Sequence, residues 1–392
     1  MRAKMARILV LFAAGIAAVA SAIVPASATT SPAWRIVKTF GPAEGVWSDN
    51  FSVLGAKDAW STWIACKPCS GSNPVTHFYV EHSAGTTWRQ VGVPASLESA
   101  AEASVAIGAS ADKNLWLFQP ATSSRSLHAH VLRWNGSKWS RQAIPSWAVH
   151  LNPSGTYAIV PAVFGPESVW VFSLGVDAFT KPDHYVARYN GHRWTKLQMP
   201  AVPNQVSVLS EHDIWALGST IATKAKPSAS ILMHWNGKRW STVAVPSARV
   251  PKNATDDVLN PVALGPTDVW IQRDITKGLA GATTLYLLHW NGRHWSRVAL
   301  AAGISGVDYL TQDGHGGLWV AANGPGPSYT WYLYHLNRKW TRYSAPAAKG
   351  TTVGDLISLN WIPGTRSVWA AGNMFQPGSS GGIIGVILKH AG

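Results

Sequence analysis

Short runs of alternating hydrophobic and polar residues recur along this chain, and residues that favour turns separate them. The clearest example begins at residues 205–210 (QVSVLS), which alternate as a half-buried strand does. A second strand is predicted over residues 214–218 (IWALG), and a third, after a polar loop, over residues 231–235 (ILMHW). Asn236-Gly237 favours a tight hairpin turn, so residues 239–245 form the fourth strand of the unit.

Two series of tryptophans repeat this unit along the chain. The first series, on the second strand, is Trp60, Trp116, Trp170, Trp215, Trp270, Trp319 and Trp369. The second series, on the fourth strand, is Trp34, Trp88, Trp139, Trp194, Trp240, Trp295 and Trp340. Members of the first series follow one another at intervals of 45 to 56 residues. Four short strands per repeat of this length are typical of β-propellers, so we predict an all-β, seven-bladed propeller of four-stranded antiparallel blades.

The repeat runs through one predicted domain, residues 31–392, without a linker of different composition. The predicted blades cover about 46–94, 101–145, 155–200, 204–246, 256–300, 304–346, and 352–390 together with 33–40. The last blade is divided because residues 385–390 resemble a third strand, whereas residues 33–37 resemble a fourth strand with nothing before it. We therefore expect the N-terminal strand to complete the last blade and close the ring, which removes exposed strand edges.

Recurrent residues inside the unit are interpreted as scaffold. The aromatic residue before Asn-Gly should face the later tryptophan across the hairpin, as Trp235 and Trp240 would. His234, His289, His335 and His390 are expected to share one position on the third strand. A position that recurs from blade to blade is explained by the blade itself.

The paired tryptophans and Asn-Gly-x-x-Trp hairpins resemble the Trp-rich propeller repeats of secreted bacterial proteins. The hairpin is similar to the Asp-box of sialidase-like propellers, without the Asp-box spacing of serine and aspartate. The turn followed by a strand tryptophan is similar to kelch and galactose-oxidase propellers, without their paired glycines. Tectonin-type proteins and seven-bladed bacterial lectins share the Trp-rich blade. The resemblance covers nearly all of residues 31–392 and implies a fold, not an activity.

The first residues have the pattern of a secretory signal peptide. Arg2, Lys4 and Arg7 precede an apolar stretch over residues 8–24, and Ala26-Ser27-Ala28 supplies small residues for cleavage. We expect residues 1–28 to be removed and the protein to be secreted, with an uncleaved anchor as the alternative. No later segment has the roughly 20 apolar residues that a membrane span needs.

The chain is basic, with a formal net charge of +14. Removing Arg2, Lys4 and Arg7 would leave 30 basic residues against 19 acidic ones, a net charge of +11. This charge favours anionic partners such as envelope polymers, acidic polysaccharide or a phospholipid surface. Nucleic acid is not expected, because no run of five to eight basic residues occurs.

The two cysteines, Cys66 and Cys69, lie in one predicted loop. In a secreted protein they would form a local disulfide, and free thiols or a functional pair are the alternatives. No helix follows them to activate a thiol, and no further ligands in register suggest zinc. We expect neither a metal nor a cofactor.

Binding residues are expected on the loops that join strands two to three and strand four to the next blade, because these loops vary in length and sequence. Aromatic rings and scattered cations there suit a sugar or an anionic polymer. The candidates are Trp63, Lys67, Phe179, Lys181, Lys224, Lys226, Lys277, Tyr329 and Trp331. The same loops are predicted to hold Arg125 and Arg273. Trp63 and Trp331 have a structural alternative, which is to cover blade edges.

A ring of carboxylates is the best candidate for catalysis. Asp49, Glu102, Asp257, Asp308 and Asp355 precede or open the first strand of their blades, which lines the central channel. Close carboxylates could act as acid and base in glycoside cleavage, although ordinary loop residues are the simpler interpretation. The sequence shows neither the arginine cluster and tyrosine–glutamate pair of sialidases nor the copper ligands of galactose oxidase.

These observations favour a monomeric, secreted, non-catalytic propeller that binds carbohydrate or an anionic envelope polymer through its variable loops. A glycoside hydrolase or lyase acting at the channel mouth is one alternative. A scaffold for protein–protein interaction is the other.

Overall fold

A computed structural model describes most of the predicted propeller. It describes residues 34–40, 45–66, 76–85, 87–94, 105–119, 130–148, 159–174, 184–220, 229–278, 283–324, 331–376 and 382–390, with the backbone alone at 45–49 and 76. The predicted signal segment, residues 1–28, lies outside these ranges. No helix in the described ranges is long and apolar enough to cross a membrane.

The described residues form 28 strands and one short 3-10 helix, Ser146–Ala148. The first blades contain β2 (Gly45–Gly55), β3 (Asp58–Cys66), β4 (Thr76–Ala84) and β5 (Thr87–Val91); then β6 (Ala106–Ala111), β7 (Asn114–Gln119), β8 (His130–Trp134) and β9 (Trp139–Gln142); then β10 (Ile159–Gly165), β11 (Ser168–Ser173), β12 (Tyr185–Tyr189) and β13 (Trp194–Gln198). The middle blades contain β14 (Val202–Ser210), β15 (Asp213–Ser219), β16 (Ser230–Trp235) and β17 (Trp240–Ala244); then β18 (Ala254–Gly265), β19 (Asp268–Lys277), β20 (Thr283–Trp290) and β21 (Trp295–Ala299). The last blades contain β22 (Gly306–Gln312), β23 (Leu318–Asn323), β24 (Trp331–Asn337) and β25 (Lys339–Ser344); then β26 (Thr352–Trp361), β27 (Val368–Phe375), β28 (Ile383–His390) and β1 (Trp34–Thr39).

The strand pairing confirms the predicted all-β, seven-bladed propeller. Five four-stranded antiparallel sheets form blades two to six, each in chain order. Blades one and seven are joined in one eight-stranded sheet through a single parallel pair, Gly45 with Ile383. As predicted, β1 pairs antiparallel with β28, from Trp34 opposite His390 to Thr39 opposite Val386. The N-terminal strand therefore supplies the fourth strand of the last blade.

The first-series tryptophans form the core between blades. Trp60, Trp116, Trp170, Trp215 and Trp319 are at most 1% exposed. Trp60, for example, packs in one cluster with Val105 and Leu115 of the next blade. Apart from Trp34, the second-series tryptophans are half-buried, and several connect the blades through their indoles: Trp194 Nε1 donates to the Ala143 carbonyl (2.9 Å), and Trp295 Nε1 to the Ala244 carbonyl (2.9 Å).

The Asn-Gly hairpins have the predicted geometry. Trp235 lies opposite Trp240 with ring centroids 5.8 Å apart, and Trp290 lies opposite Trp295 at 5.5 Å. Gly237 has a φ of +86°, which explains why glycine stands there. We call the side of the propeller with the hairpin turns 135–138, 190–193, 236–239, 291–294 and 337–339 the turn face. The opposite side, with the connections between strands two and three, is the variable-loop face.

The prediction that four histidines share one position on the third strand is wrong for His390. The position also holds other residues that the sequence analysis did not name. Directly opposite the second-strand tryptophans lie His82, Arg133, Arg188, His234, His289, His335 and Lys389. His390 is one residue further along and lies opposite Val368. The four imidazole rings at this position stack on their tryptophans at centroid distances of 4.1 to 4.3 Å: His82, His234, His289 and His335. The shared property of the position is therefore a flat or cationic group over an indole ring.

Candidate functional site at the channel mouth

Three of the predicted ligand-binding residues lie in the described part of the chain. Trp63, on β3, is half-buried, and its ring stacks on Tyr79 with centroids 4.0 Å apart. Trp331, at the start of β24, is only 7% exposed. Lys277, the last residue of β19, is exposed at the variable-loop face. The two tryptophans thus have packing roles, and the lysine is available to a ligand.

The other predicted binding residues lie outside the described ranges. They are Lys67, Phe179, Lys181, Lys224, Lys226 and Tyr329. The disulfide prediction remains untested as well, because Cys69 lies outside these ranges, whereas Cys66 is buried at the end of β3. The prediction that Arg273 lies in a loop is wrong, because Arg273 lies within β19. It is 4% exposed and forms a bidentate ion pair with Asp256, with nitrogen–oxygen distances of 2.6 and 2.5 Å.

Bulges in the first strands place polar residues at one level of the channel. The register of the inner strand shifts at Asp49, Asn204 and Asp308, each opposite the second and third residues after the tryptophan of the second strand. A bulge leaves one residue outside the ladder and changes the direction of its side chain. The Asp308 side chain is exposed, whereas that of Asp49 is not described, and Glu102 lies outside the described ranges.

Four carboxylates from three neighbouring blades meet near this level. Asp257 lies directly opposite Asp274 in the β18–β19 pair. Burial raises the pKa of Asp274, a hydrogen bond from Gln272 opposes this, and the charges of Asp257 and Asp308 raise it further. Although Asp308 is exposed to the channel, the surrounding protein partly desolvates its carboxyl group and so raises its pKa, and the charge of Asp355 adds to the effect. The structure therefore brings Asp257, Asp308 and Asp355 together, and it adds Asp274.

Amide side chains hold this cluster in place. Gln272 is fully buried and donates to both carboxylate oxygens of Asp274, at 2.9 and 2.8 Å. Asn260 donates to Gln272 Oε1 (2.8 Å) and to the Asp308 carbonyl (3.3 Å). Asn323 Nδ2 donates to Asp308 Oδ2 at 3.2 Å. Amides from blades five and six thus fix carboxylates that would accept hydrogen bonds from a ligand.

Tyr309 adds a hydroxyl donor next to the carboxylates. Burial raises its pKa, and the charges of Asp308 and Asp355 raise it further, so the phenol keeps its proton at neutral pH. Carboxylates, amides and a phenol together offer both acceptors and donors. In the described ranges, no group of three or more His, Cys, Asp or Glu residues is arranged to hold a metal ion. We call Asp257, Asp274, Asp308, Asp355 and Tyr309 the acidic mouth.

The sequence analysis missed Asp274 and the three amides of this site. Asp274 follows the second-strand tryptophan Trp270 by four residues, where the other blades were expected to have begun a loop. In blade five the strands continue: β18 has 12 residues and β19 has 10, so the pair carries the ladder as far as Lys277. The alternation of Asp274, Thr276 and the intervening apolar Ile275 was the available signal.

Known proteins similar to this chain are found among solved structures of low sequence identity. No protein-family model matches the chain, and no curated protein does. Among solved structures, the SapL1 lectin in complex with α-methyl fucoside is 12% identical, with 80% of this chain and 99% of that chain covered and a TM-score of 0.42. The six-bladed lectin of Aleuria aurantia is 11% identical, with 79% and 100% covered and a TM-score of 0.40. The β-propeller domain of the trilobed protease from Pyrococcus furiosus is 7% identical, with 88% and 94% covered and a TM-score of 0.48. Identities this low assign no function to this chain.

Proposed function

We propose that this chain is a secreted, non-catalytic propeller that binds carbohydrate on its variable-loop face, at the acidic mouth. The observation that carries the proposal is the convergence of Asp257, Asp274, Asp308 and Asp355 with amide side chains and the Tyr309 hydroxyl. Sugar hydroxyls both donate and accept hydrogen bonds, so a set of fixed acceptors with a few donors suits them. Carboxylates whose pKa values are raised at the mouth of a channel are also typical of functional sites.

The loops around the mouth would supply the apolar contacts and further charge. The exposed Lys277 lies at the end of β19, the strand that also carries Asp274. The predicted loop residues Lys67, Phe179, Lys181, Lys224, Lys226 and Tyr329 belong to the same face in this proposal, with Trp63 and Trp331 at its edge. The rings of Phe179 and Tyr329 would stack on the apolar faces of sugar rings.

The negative charge of the acidic mouth determines which class of sugar it would bind. Asp257 and Asp274 lie directly opposite each other, and like charges so placed repel. A ligand with acidic groups would increase this repulsion, whereas a neutral or amine-bearing sugar would not. The mouth therefore favours a neutral or amino sugar over an anionic polymer, despite the basic charge of the whole chain.

Glycan binding can be tested with the chain lacking residues 1–28. The protein is applied to an array of glycans and cell-wall polymers at low and high salt. We expect binding to neutral or amino sugars that survives high salt, and a loss of at least roughly tenfold in affinity for Asp308→Asn. Asp112→Asn is the matched control, because Asp112 is exposed in the β6–β7 turn on the other side of the propeller. Equal affinity in the Asp308 and Asp112 variants would refute binding at the mouth.

Glycoside hydrolysis at the same place is the second candidate. It is favoured by one observation: Asp308 has a raised pKa next to the charge of Asp355, and glycosidases use one protonated and one ionised carboxyl group. If the chain releases reducing sugar from the glycan it binds, Asp308→Asn and Asp257→Asn should each lower the rate at least roughly 100-fold. Full activity in both variants would exclude these carboxylates as acid and base.

A further inference from the structure

The turn face presents a basic side chain on the hairpin turn of each of five consecutive blades, blades two to six. One from each hairpin turn is Lys138, Arg193, Arg239, Arg293 and Lys339, and all five are exposed. The asparagine side chains hold the backbone of these turns. For example, Asn236 Oδ1 accepts hydrogen bonds from the backbone N–H groups of Lys238 (3.1 Å) and Arg239 (3.0 Å). The basic side chains therefore project from turns whose backbone conformation is fixed, and these turns recur in successive blades.

Several acidic side chains near this face have side-chain partners within the blades. Each of five carboxylates contacts a third-strand residue that lies over a core tryptophan. The pairs are Asp58 with His82, Asp213 with His234 and Asp268 with His289 at 2.8 Å, Asp313 with His335 at 2.9 Å, and Glu211 with Arg188 at 2.8 Å. By contrast, no ion-pair partner from the described ranges contacts any of the five turn cations.

The turns between strands one and two add to the positive charge of the same face. Lys57, Lys113 and Arg366 are exposed there, alongside the exposed acids Asp112 and Glu167. Among the described residues of this face, basic groups thus outnumber the exposed acids Asp112 and Glu167. Because the acidic mouth is at the other end of the channel, the two ends of the propeller differ in the charge that they present.

We propose that the turn face docks on a planar anionic phospholipid surface. The hairpin turns occupy equivalent positions in a ring of similar blades, so their tips lie at about one level and can meet a flat surface together. A linear polymer would reach only the cations along its path. The large exposed hydrophobic residues of the described ranges are Val208, Val250 and Phe375, and none lies in a hairpin turn. Binding would therefore be electrostatic, without insertion of side chains, and sensitive to salt.

The test uses the chain lacking residues 1–28 and sedimentation with vesicles of phosphatidylcholine alone or with 30% phosphatidylglycerol. The wild-type protein should bind the anionic vesicles at low salt and not the neutral ones. One basic residue near such a surface contributes about fivefold to binding, so Arg239→Ser with Lys339→Ser should weaken it about 25-fold. The matched control is Arg249→Ser with Lys252→Ser, which removes the same charge from exposed residues between β17 and β18.

Three results would overturn the proposal. They are absence of binding to anionic vesicles, an equal loss in both double variants, and long-chain polyphosphate binding the wild-type protein as tightly as the vesicles do. The last result would assign the face to a soluble polyanion. The hairpin-turn cations are remote from the acidic mouth. The vesicle test can therefore fail while glycan binding at the mouth holds, and the reverse.

Discussion

At the scale of single residues, a tryptophan and the group opposite it form the repeated unit of the core. Trp319 is 1% exposed and stacks on His335, and His335 Nε2 contacts Asp313 at 2.9 Å. Asp313 also accepts hydrogen bonds from the backbone N–H groups of His315 (2.7 Å) and Gly317 (2.8 Å). One buried carboxylate thus fixes both a turn and the ring that covers the indole.

This arrangement predicts how stability depends on pH. Burial by itself would raise the pKa of Asp313, but the hydrogen bonds from His335, His315 and Gly317 outweigh it and lower the pKa. A carboxyl whose pKa is lower in the folded than in the unfolded state stabilises the fold above its unfolded pKa, near 4. That stabilisation disappears as the pH falls through the folded value. Asp313→Asn should therefore reduce stability at pH 7 and make it less dependent on pH in the acidic range.

The measurement is the free energy of unfolding between pH 7 and pH 2, with Asp112→Asn as the exposed control. The Asp112 variant should follow the wild-type curve. An unchanged acid dependence in the Asp313 variant would contradict the assigned hydrogen bonds.

At the scale of elements, the sequence was sufficient for the strands and for the turns that obey strong local rules. Asn-Gly specifies the hairpins, and the tryptophan on the fourth strand specifies the pairing across them, because both effects are local. The bulges at Asn204 and Asp308 and the long β18–β19 pair were not predictable in the same way. They depend on how each inner strand fits its neighbours around the channel. Three of the acids in the mouth were therefore foreseen, whereas Asp274 and the supporting amides were not.

The hairpin glycines allow a direct test of this local rule. Gly237 has a φ of +86°, and a Cβ there would also come within 3.0 Å of the His212 side chain. Gly237→Ala should cost roughly 1–2 kcal/mol of unfolding free energy, because L-residues with a side chain avoid this conformation.

Gly165→Ala serves as the matched control, since Gly165 ends β10 without a positive φ and with nothing within 4 Å of its would-be Cβ. Its unfolding free energy should stay close to that of the wild type. Similar losses in the two variants would mean that the turn conformation is not the cause.

At the scale of the whole molecule, the closure of the ring depends on the N-terminal strand. Trp34 of β1 is 6% exposed and lies edge-on to Trp319 of blade six, with ring centroids 5.4 Å apart. The same strand pairs with β28 along most of its length. The pairing with β28 joins the two ends of the chain in blade seven, as the broken repeat at residues 33–37 and 385–390 predicted, and the contact with Trp319 connects that blade to blade six.

Trp34→Ala should destabilise the protein by about 3–5 kcal/mol, the usual cost of removing a large buried ring. Trp139→Ala is the comparison, because Trp139 has the equivalent place in blade two but is only half-buried. Trp139→Ala should lose less unfolding free energy than Trp34→Ala. Thermal or denaturant unfolding of both variants would show the order, and a larger loss for Trp139→Ala would contradict the role of β1 in closure.

The central claim is that carbohydrate binds at the acidic mouth, and hydrogen exchange of the protein with and without its glycan locates the site most directly. Peptides covering residues 254–260, 306–310 and 352–356 should exchange more slowly in the complex, because they contain Asp257, Asp308 and Asp355. Protection confined to the hairpin turns 190–193 and 236–239, with no change in these three peptides, would contradict the claim.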